Sequence, residues 1–279
     1  MLKVLKSGFF TSVQDSGRFG YRDKGVPIAG AMDGHTVRNL NMLLENDGNA
    51  AVIEITMTGP TLIFEEDSFI ALGGAEMSAT LNNEPIQNHK IYRVEAGDIL
   101  SYGKLQRGFR AYLAIKDGFR GNPILGSQSM FFPITESNHL EDKSLLPYQV
   151  NKKFEPRITE YKLDDLLDEK VLEAHPGPEF KILHDKQLEG LFFKDFTIAK
   201  ENNRMAYQLK ETIGEHHYSM LTSATLPGTV QLTPAGKLII LMKDGQTTGG
   251  YPRILQITDK AMSILAQKKF GDVVSIKLL

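Results

Sequence analysis

Apolar residues fall in short runs along most of this chain, and turn-forming residues separate the runs. Such punctuation marks β-strands. It predicts strands at 2–5, 51–56, 61–64, 69–72, 78–81, 98–102 and 110–115. The second half continues with 172–174, 197–199, 229–232, 238–242, 254–258 and 273–278. Gly59-Pro60, Asn82-Asn83 and Ala96-Gly97-Asp98 are typical separators. Regular short strands with few helices predict a barrel or sandwich.

Two segments read as helices. Asp33 can cap a run at 34–45, with Val37, Leu40 and Leu44 on one face and Asn46-Asp47-Gly48 as the stop. Thr258 or Asp259 can cap a second at 260–267, whose buried face is Ala261, Ile264 and Leu265. The two halves also echo each other. Thr11-Ser-Val-Gln14 resembles Gly228-Thr-Val-Gln231, and Gly97-Asp98 resembles Gly271-Asp272. A proline-bearing stretch at 131–170 lies between them, with an acidic segment at 163–169 that reads as a short surface helix. The expected domains are 1–155 and 156–279.

Composition narrows the function classes. The chain has 279 residues, 41% hydrophobic, and a formal net charge of -2. Its mixed charges argue against a nucleic-acid footprint or a polybasic membrane patch. The absence of cysteine removes disulfides, thiol nucleophiles and thiolate metal sites. No apolar run approaches the ~20 residues of a membrane helix. The first eight residues read as a strand, not a signal peptide. A cytoplasmic location is expected.

Two stretches concentrate chemistry. Residues 247–252 read Thr-Thr-Gly-Gly-Tyr-Pro. Paired glycines let backbone N–H groups approach a ligand, and the threonines and Tyr251 add hydroxyls. The N-terminal block at 11–33 packs Gln14, Asp15, Arg18, Tyr21, Arg22 and Asp33 among four glycines and a proline. An arginine there can fork onto a carboxylate or phosphate, or pin the loop by pairing with Asp. Gly126-Ser-Gln-Ser129 can be a hydroxyl-lined turn, but it lacks the Gly-x-Ser-x-Gly nucleophile elbow. His216-His217 and His175 have no metal-ligating pattern around them, so no metal is expected. No phosphate-binding glycine loop is present.

Taken together, these blocks resemble the biotin-dependent carboxyltransferase-like family. It includes the C subunit of 5-oxoprolinase, also described as KipI antagonist or allophanate hydrolase subunit 2. The pieces are 11–21 with 25–33, Gly59-Pro-Thr-Leu-Ile-Phe64, Gly108-Phe-Arg-Ala-Tyr-Leu-Ala114 and Leu125-Gly-Ser-Gln-Ser129. Pro176-Gly-Pro178, Arg204-Met205, Gly228-Thr-Val-Gln231 and 246–252 complete the set. The family usually reads Asp-Arg-Met-Gly where this chain has Asn203-Arg-Met-Ala206, and often Gly-Gly at Asp117-Gly118.

The resemblance implies a mainly β protein with a few helices, in two cyclophilin-like β-barrel domains. It implies one component of an ATP-dependent 5-oxoprolinase complex that opens 5-oxo-L-proline to L-glutamate. Its partners there would be a KipI-like B subunit, plus the A subunit as the third member. ATP, with Mg, would be bound here or by a partner. No biotin-attachment motif is present, so none would be carried covalently. The implied alternatives are a binding module that antagonises a KipI-like inhibitor of a sensor kinase, or a urea or amide carboxyltransferase component. By motif position, Arg18 or Arg204 would hold the substrate carboxylate, and Asp15, Asp33 or Glu54 would transfer protons. Gln14, Tyr21, Gln231, Thr247, Thr248, Gly249, Gly250 and Tyr251 would line the substrate.

Overall fold

The computed structural model describes residues 1–157 and 165–279. It is mainly β with a few helices, and it divides into two compact units. Unit 1 comprises Met1–Arg18 and Ala29–Leu167; unit 2 comprises Phe19–Ile28 and Asp168–Leu279.

Unit 1 runs through β1 (Leu2–Lys6), β2 (Phe10–Gln14), α1 (Gly34–Leu43), β3 (Val52–Thr56), β4 (Thr61–Phe64) and β5 (Ser68–Glu76). It continues with β6 (Thr80–Leu81), β7 (Glu84–Pro85), β8 (Ile91–Val94), β9 (Ile99–Ser101), β10 (Arg107–Ile115) and β11 (Leu145–Leu146). One sheet is ordered β11-β1-β4-β9-β6-β7, the other β2-β3-β10-β5-β8. Strand alternation assigns the two faces of the second sheet. Ile53, Ile55, Ala111, Leu113 and Ile115 join the core that also holds Val4, Leu62 and Phe64 from the first sheet. Their neighbours Val52, Tyr112 and Ala114 pack instead with Val37 and Leu40 of α1 and with Leu44 at its C-terminal end. Leu40 is fully buried there, so Leu40→Ala would cost about 2–5 kcal/mol.

Helix α1 begins where its cap predicts. The Asp33 carboxylate accepts from Thr36 N–H at 3.0 Å and from its hydroxyl at 2.7 Å. It lies against Gly73, where a Cβ would sit 3.0 Å from Thr36 Cγ2 and 3.1 Å from His89 Cε1. A side chain at 73 would push the helix off the sheet. Strand β2 has no alternating pattern, yet Thr11 to Gln14 are all buried. Its polar groups are satisfied internally: Gln14 Nε2 donates to Ser12 Oγ at 3.0 Å and to Met130 O at 3.2 Å. At 117, Asp stands where the resembled family often has Gly, although φ is +64°. Asp tolerates that region, and its carboxylate accepts from Lys116 at 2.9 Å and Asn151 at 3.2 Å.

Unit 2 contains β12 (Val171–Pro176), α2 (Asp185–Phe192), β13 (Phe196–Asn202), β14 (Ala206–Thr212), β15 (Ser223–Ala224), β16 (Thr229–Leu232) and β17 (Lys237–Leu241). Then come β18 (Thr248–Gly249), β19 (Arg253–Ile257), α3 (Asp259–Ala266) and β20 (Val273–Leu278). Strands β12-β19-β16-β17-β14-β13-β20 close into a barrel through the parallel β12–β20 pair. Leu172, Ile198, Tyr207, Val230, Ile240, Leu255 and Ile276 are among its buried side chains. Thr258 caps α3 by accepting from Ala261 N–H at 3.1 Å. Helix α2 escapes the sequence reading because its cap is a histidine: His184 Nδ1 accepts from Gln187 N–H, and the Gln187 side chain accepts in return. The acidic segment is no helix over 165–169; residues 163–164 lie outside the described residues.

The sequence echo is also geometric. Gly97 and Gly271 have φ of +96° and +89°. Asp98 and Asp272 each accept from the backbone N–H three residues earlier, at 2.7 and 2.9 Å. Gly97 N–H donates to Phe64 O and Gly271 N–H to Ile198 O, while Phe64 and Ile198 donate back to Asp98 O and Asp272 O. The same turn therefore ties down an equivalent strand in each unit.

Candidate functional site

In unit 1, the residues predicted around the N-terminal block do two separate jobs. Asp15 is 2% exposed, and its carboxylate is saturated. It accepts from Gly17 N–H at 2.8 Å, Ser127 Oγ at 2.6 Å, Ser129 Oγ at 2.7 Å and Gln128 N–H at 2.7 Å. Arg18, 1% exposed, donates through Nε to Ile124 O at 3.2 Å and through Nη2 to Ser129 O. The two charges hold the 124–129 turn against the end of β2. Carboxylate lone pairs spent on four donors are poorly placed to take a substrate proton.

Glu54 sits beneath α1 at 0% exposure. Its Oε2 accepts from Met32 N–H at 2.8 Å and from Tyr112 Oη at 2.9 Å, while Arg110 Nε lies 3.7 Å from Oε1. Tyr112 Oη in turn accepts from Asp33 N–H at 2.9 Å. Two predicted residues, Asp33 and Glu54, are thus joined through a tyrosine that the sequence did not suggest. Burial, aided by the charges of Glu54 and Asp33, pushes the Tyr112 phenol well above its ordinary value, so it stays protonated.

A cavity of about 250 Å³ opens at the N-terminus of α1. Asp33, His35, Glu76, Asn88, His89 and Asp165 contribute to its wall. Of these, sequence reasoning named only Asp33. Two histidines 54 positions apart carry no local motif; only the chain's fold around Gly73 brings them to one wall.

In unit 2, Arg204 and Asp244 form a fork, with Nε to Oδ2 at 2.8 Å and Nη2 to Oδ1 at 2.9 Å. Arg204 is 7% exposed. Its guanidinium fastens the 203–206 turn to the 242–245 turn, where Met242 N–H also donates to Met205 O. The departures from the family pattern fit that turn. Asn203 Oδ1 accepts from Met205 N–H at 2.8 Å and Ala206 N–H at 3.1 Å, an acceptor's task that needs no charge. Ala206 simply starts β14 with no positive φ.

The 247–252 run is partly exposed. Thr248 and Gly249 form β18, paired with β15, and Thr248, Gly250 and Tyr251 are exposed. Gly249 is buried, and a Cβ there would fall 2.4 Å from Gln231 Nε2 and 2.7 Å from Gln246 Nε2. Gln231 is 1% exposed, and its Nε2 has no hydrogen-bond acceptor among the described residues. That buried donor is the most distinctive polar group beside the run. Thr225 braces the run, donating from N to Thr247 O at 3.0 Å and from Oγ1 to Gln246 O at 2.5 Å. Arg22 Nη2 donates to Thr225 O. Tyr21, half-buried, accepts through its backbone carbonyl from Lys24 and Val26, and Lys24 Nζ lies 5.6 Å from its ring centre.

Residues 24–278 match the carboxyltransferase domain family, subdomains A and B. The chain is 34% identical over 277 residues to the 5-oxoprolinase C subunit of Escherichia coli, covering 97% of this chain and 89% of that protein. The solved structure of TTHA0988 superposes with a TM-score of 0.89 at 25% identity, covering 99% of this chain and 56% of that one. This chain therefore spans about half of that protein. The Kluyveromyces lactis urea amidolyase structure superposes with a TM-score of 0.87 at 26% identity, covering all of this chain and 18% of the enzyme. Matched nearly end to end in sequence and in fold, this chain belongs to the carboxyltransferase-domain family that includes the C subunit of 5-oxoprolinase.

Proposed function

We propose that this chain acts as the C subunit of an ATP-dependent 5-oxoprolinase, opening 5-oxo-L-proline to L-glutamate together with a KipI-like B subunit, plus the A subunit. The observation that carries this reading is the near-full-length likeness to the E. coli protein. The chemistry of unit 2 supports it. A lactam carbonyl and a carboxylate are both acceptors, so their site must supply donors. Gln231 Nε2, the hydroxyl of Thr248 and the backbone N–H groups around Gly250 are donors of that kind.

ATP fits these residues less well. Triphosphate binding calls for converging cations or a nest of backbone N–H groups. Arg204 is engaged by Asp244, Arg253 by Glu179, and Arg18 by backbone carbonyls. ATP and its Mg therefore belong on a partner subunit in this reading. The deciding experiment mixes the purified chain with the B and A subunits and follows phosphate release. Release that requires both 5-oxoproline and this chain is expected. A verified complex that releases no phosphate with 5-oxoproline would sink the reading.

The likeness to urea amidolyase favours a second reading, a urea or amide carboxyltransferase component. It requires a separate biotin carrier. Transfer of a carboxyl group from a carboxybiotinylated carrier protein to urea, with no turnover of 5-oxoproline, would select it.

A further inference from the structure

Unit 2 holds three arginines, Arg22, Arg204 and Arg253, and two of them are spent on carboxylates. Arg204 forks onto Asp244, and Arg253 Nη2 meets Glu179 Oε1 at 2.8 Å. Arg22 differs. Among the described residues it pairs with no carboxylate, and its hydrogen bond runs from Nη2 to a neutral carbonyl, Thr225 O. Its Nη1 is enclosed without an acceptor. Burial pulls the Arg22 guanidinium below its ordinary value with no anion opposing the shift, whereas the bond to Glu179 raises Arg253. A partly buried cation with no counter-anion has lost solvation that nothing in the unit returns.

A second, independent group lies along the same segment. Gln231 is 1% exposed, and its Nε2 has no acceptor; it faces Gly249, where a Cβ would fall 2.4 Å from it. Gln231 Oε1 faces Gln246 Nε2 at 3.5 Å. Thr225 links the two groups. Its hydroxyl donates to Gln246 O at 2.5 Å, its N–H donates to Thr247 O at 3.0 Å, and its carbonyl accepts from Arg22. A cation without an anion and a buried donor without an acceptor therefore flank residues 246–249. A ligand that answers both carries a negative charge and a neutral acceptor on one small frame, as a carboxylate beside an amide does.

We propose that Arg22 holds the carboxylate of an acidic amide or lactam whose carbonyl lies on the Gln231 and Gly249 side of the segment. The choice of lactam rests on the ring-opening reading, which the inference deepens by naming the group that recognises the acid. Arg18 and Arg204, the candidates by motif position, are already held by Ser129 O and Asp244.

The experiment uses the full chain labelled with ¹⁵N, observed by NMR at about pH 6.5, where a carboxylate is ionised. The probes are 5-oxo-L-proline and 2-pyrrolidinone, the same lactam without the carboxylate. The Arg22 Nε–H signal and the Gly249 and Gly250 amide signals are expected to move saturably with 5-oxoproline. 2-Pyrrolidinone should bind at least about tenfold more weakly and leave the Arg22 signal in place, the scale of a lost charge-assisted hydrogen bond. Arg22→Gln should weaken 5-oxoproline by about the same factor and leave 2-pyrrolidinone unchanged, a loss of preference that a merely structural role does not produce. Arg22→Lys, which keeps the charge without the planar fork, should retain part of the preference. Thermal melts check folding, and Arg22→Lys carries the comparison if Arg22→Gln does not fold. Absent saturation, equal affinity for the two lactams, or a preference unchanged in folded Arg22→Gln would overturn the proposal, as would equal weakening of both lactams by the variants. A reconstituted reaction that runs with an unchanged KM for 5-oxoproline in Arg22→Gln sinks this assignment alone. Binding through Arg22 in a chain whose verified complex releases no phosphate sinks the ring-opening reading and leaves the acid site standing.

Discussion

Glu54→Gln separates chemistry from architecture at the most buried carboxylate of unit 1. Glutamine keeps the shape of the side chain and one acceptor oxygen. It removes the charge 3.7 Å from Arg110, itself 2% exposed; with its oxygen kept at the Oε2 position for Met32 and Tyr112, its amide donor faces the arginine. Breaking a buried ion pair from one side costs about 3–5 kcal/mol, because the remaining charge stays desolvated. At about 2–4 °C per kcal/mol for a domain of this size, the unit 1 melting transition should fall by roughly 6–20 °C. Differential scanning calorimetry reads this directly. Adding Arg110→Met should recover much of the loss, since removing both charges of a buried pair is often near neutral. If Glu54→Gln melts within about 1 °C of the parent while the reconstituted reaction is abolished, the structural account is wrong, and Glu54 is a proton-transfer group.

Other expectations follow from the same geometry. Gly249→Ala must displace the buried Gln231 amide and should destabilise unit 2 by about 1–3 kcal/mol. Gly250→Ala meets no atom within 4 Å and no positive φ, so it should be neutral or stabilise by about 0.4–1 kcal/mol. Paired melts check this contrast, and lost activity in a stable Gly250→Ala variant would indicate a ligand against the backbone. Arg204→Lys loses the fork to Asp244, which lysine cannot reproduce, and should cost about 1.5–3 kcal/mol in urea unfolding. For His89, partial burial lowers the folded-state value below the unfolded ~6.5, so the unfolded chain takes up the proton first. Its contribution should be fully present above that pH and be lost as pH falls towards the folded value. The facing groups are Asp33, His35, Glu76, Arg107 and Asp165. His89→Asn should flatten that part of the stability–pH curve, and an unchanged curve would refute the assignment.

Some features were legible from residues near one another in the chain. The strand runs, the Asp33 and Thr258 caps and the paired Gly-Asp turns at 97–98 and 271–272 rest on interactions a few residues long. Local steric preference and local hydrogen bonding are enough to specify them. Strand β14 was missed because it places only Tyr207 and Leu209 in the core between polar neighbours, and β2 because its buried residues are mostly polar. The order of motifs also carried the family. It did not reveal what the charged groups do. Asp15 meets Ser127 and Ser129 from 112 and 114 positions away, and Arg204 finds Asp244 across 40. The α1 cavity draws on residues from 33 to 165, and the Gln231 donor gains its setting from Gly249. No short-range rule encodes such meetings. They arise when strands pack and helices settle against glycine, so the chain alone specified most of the strands and their turns, and the packed structure assigned the charges their partners.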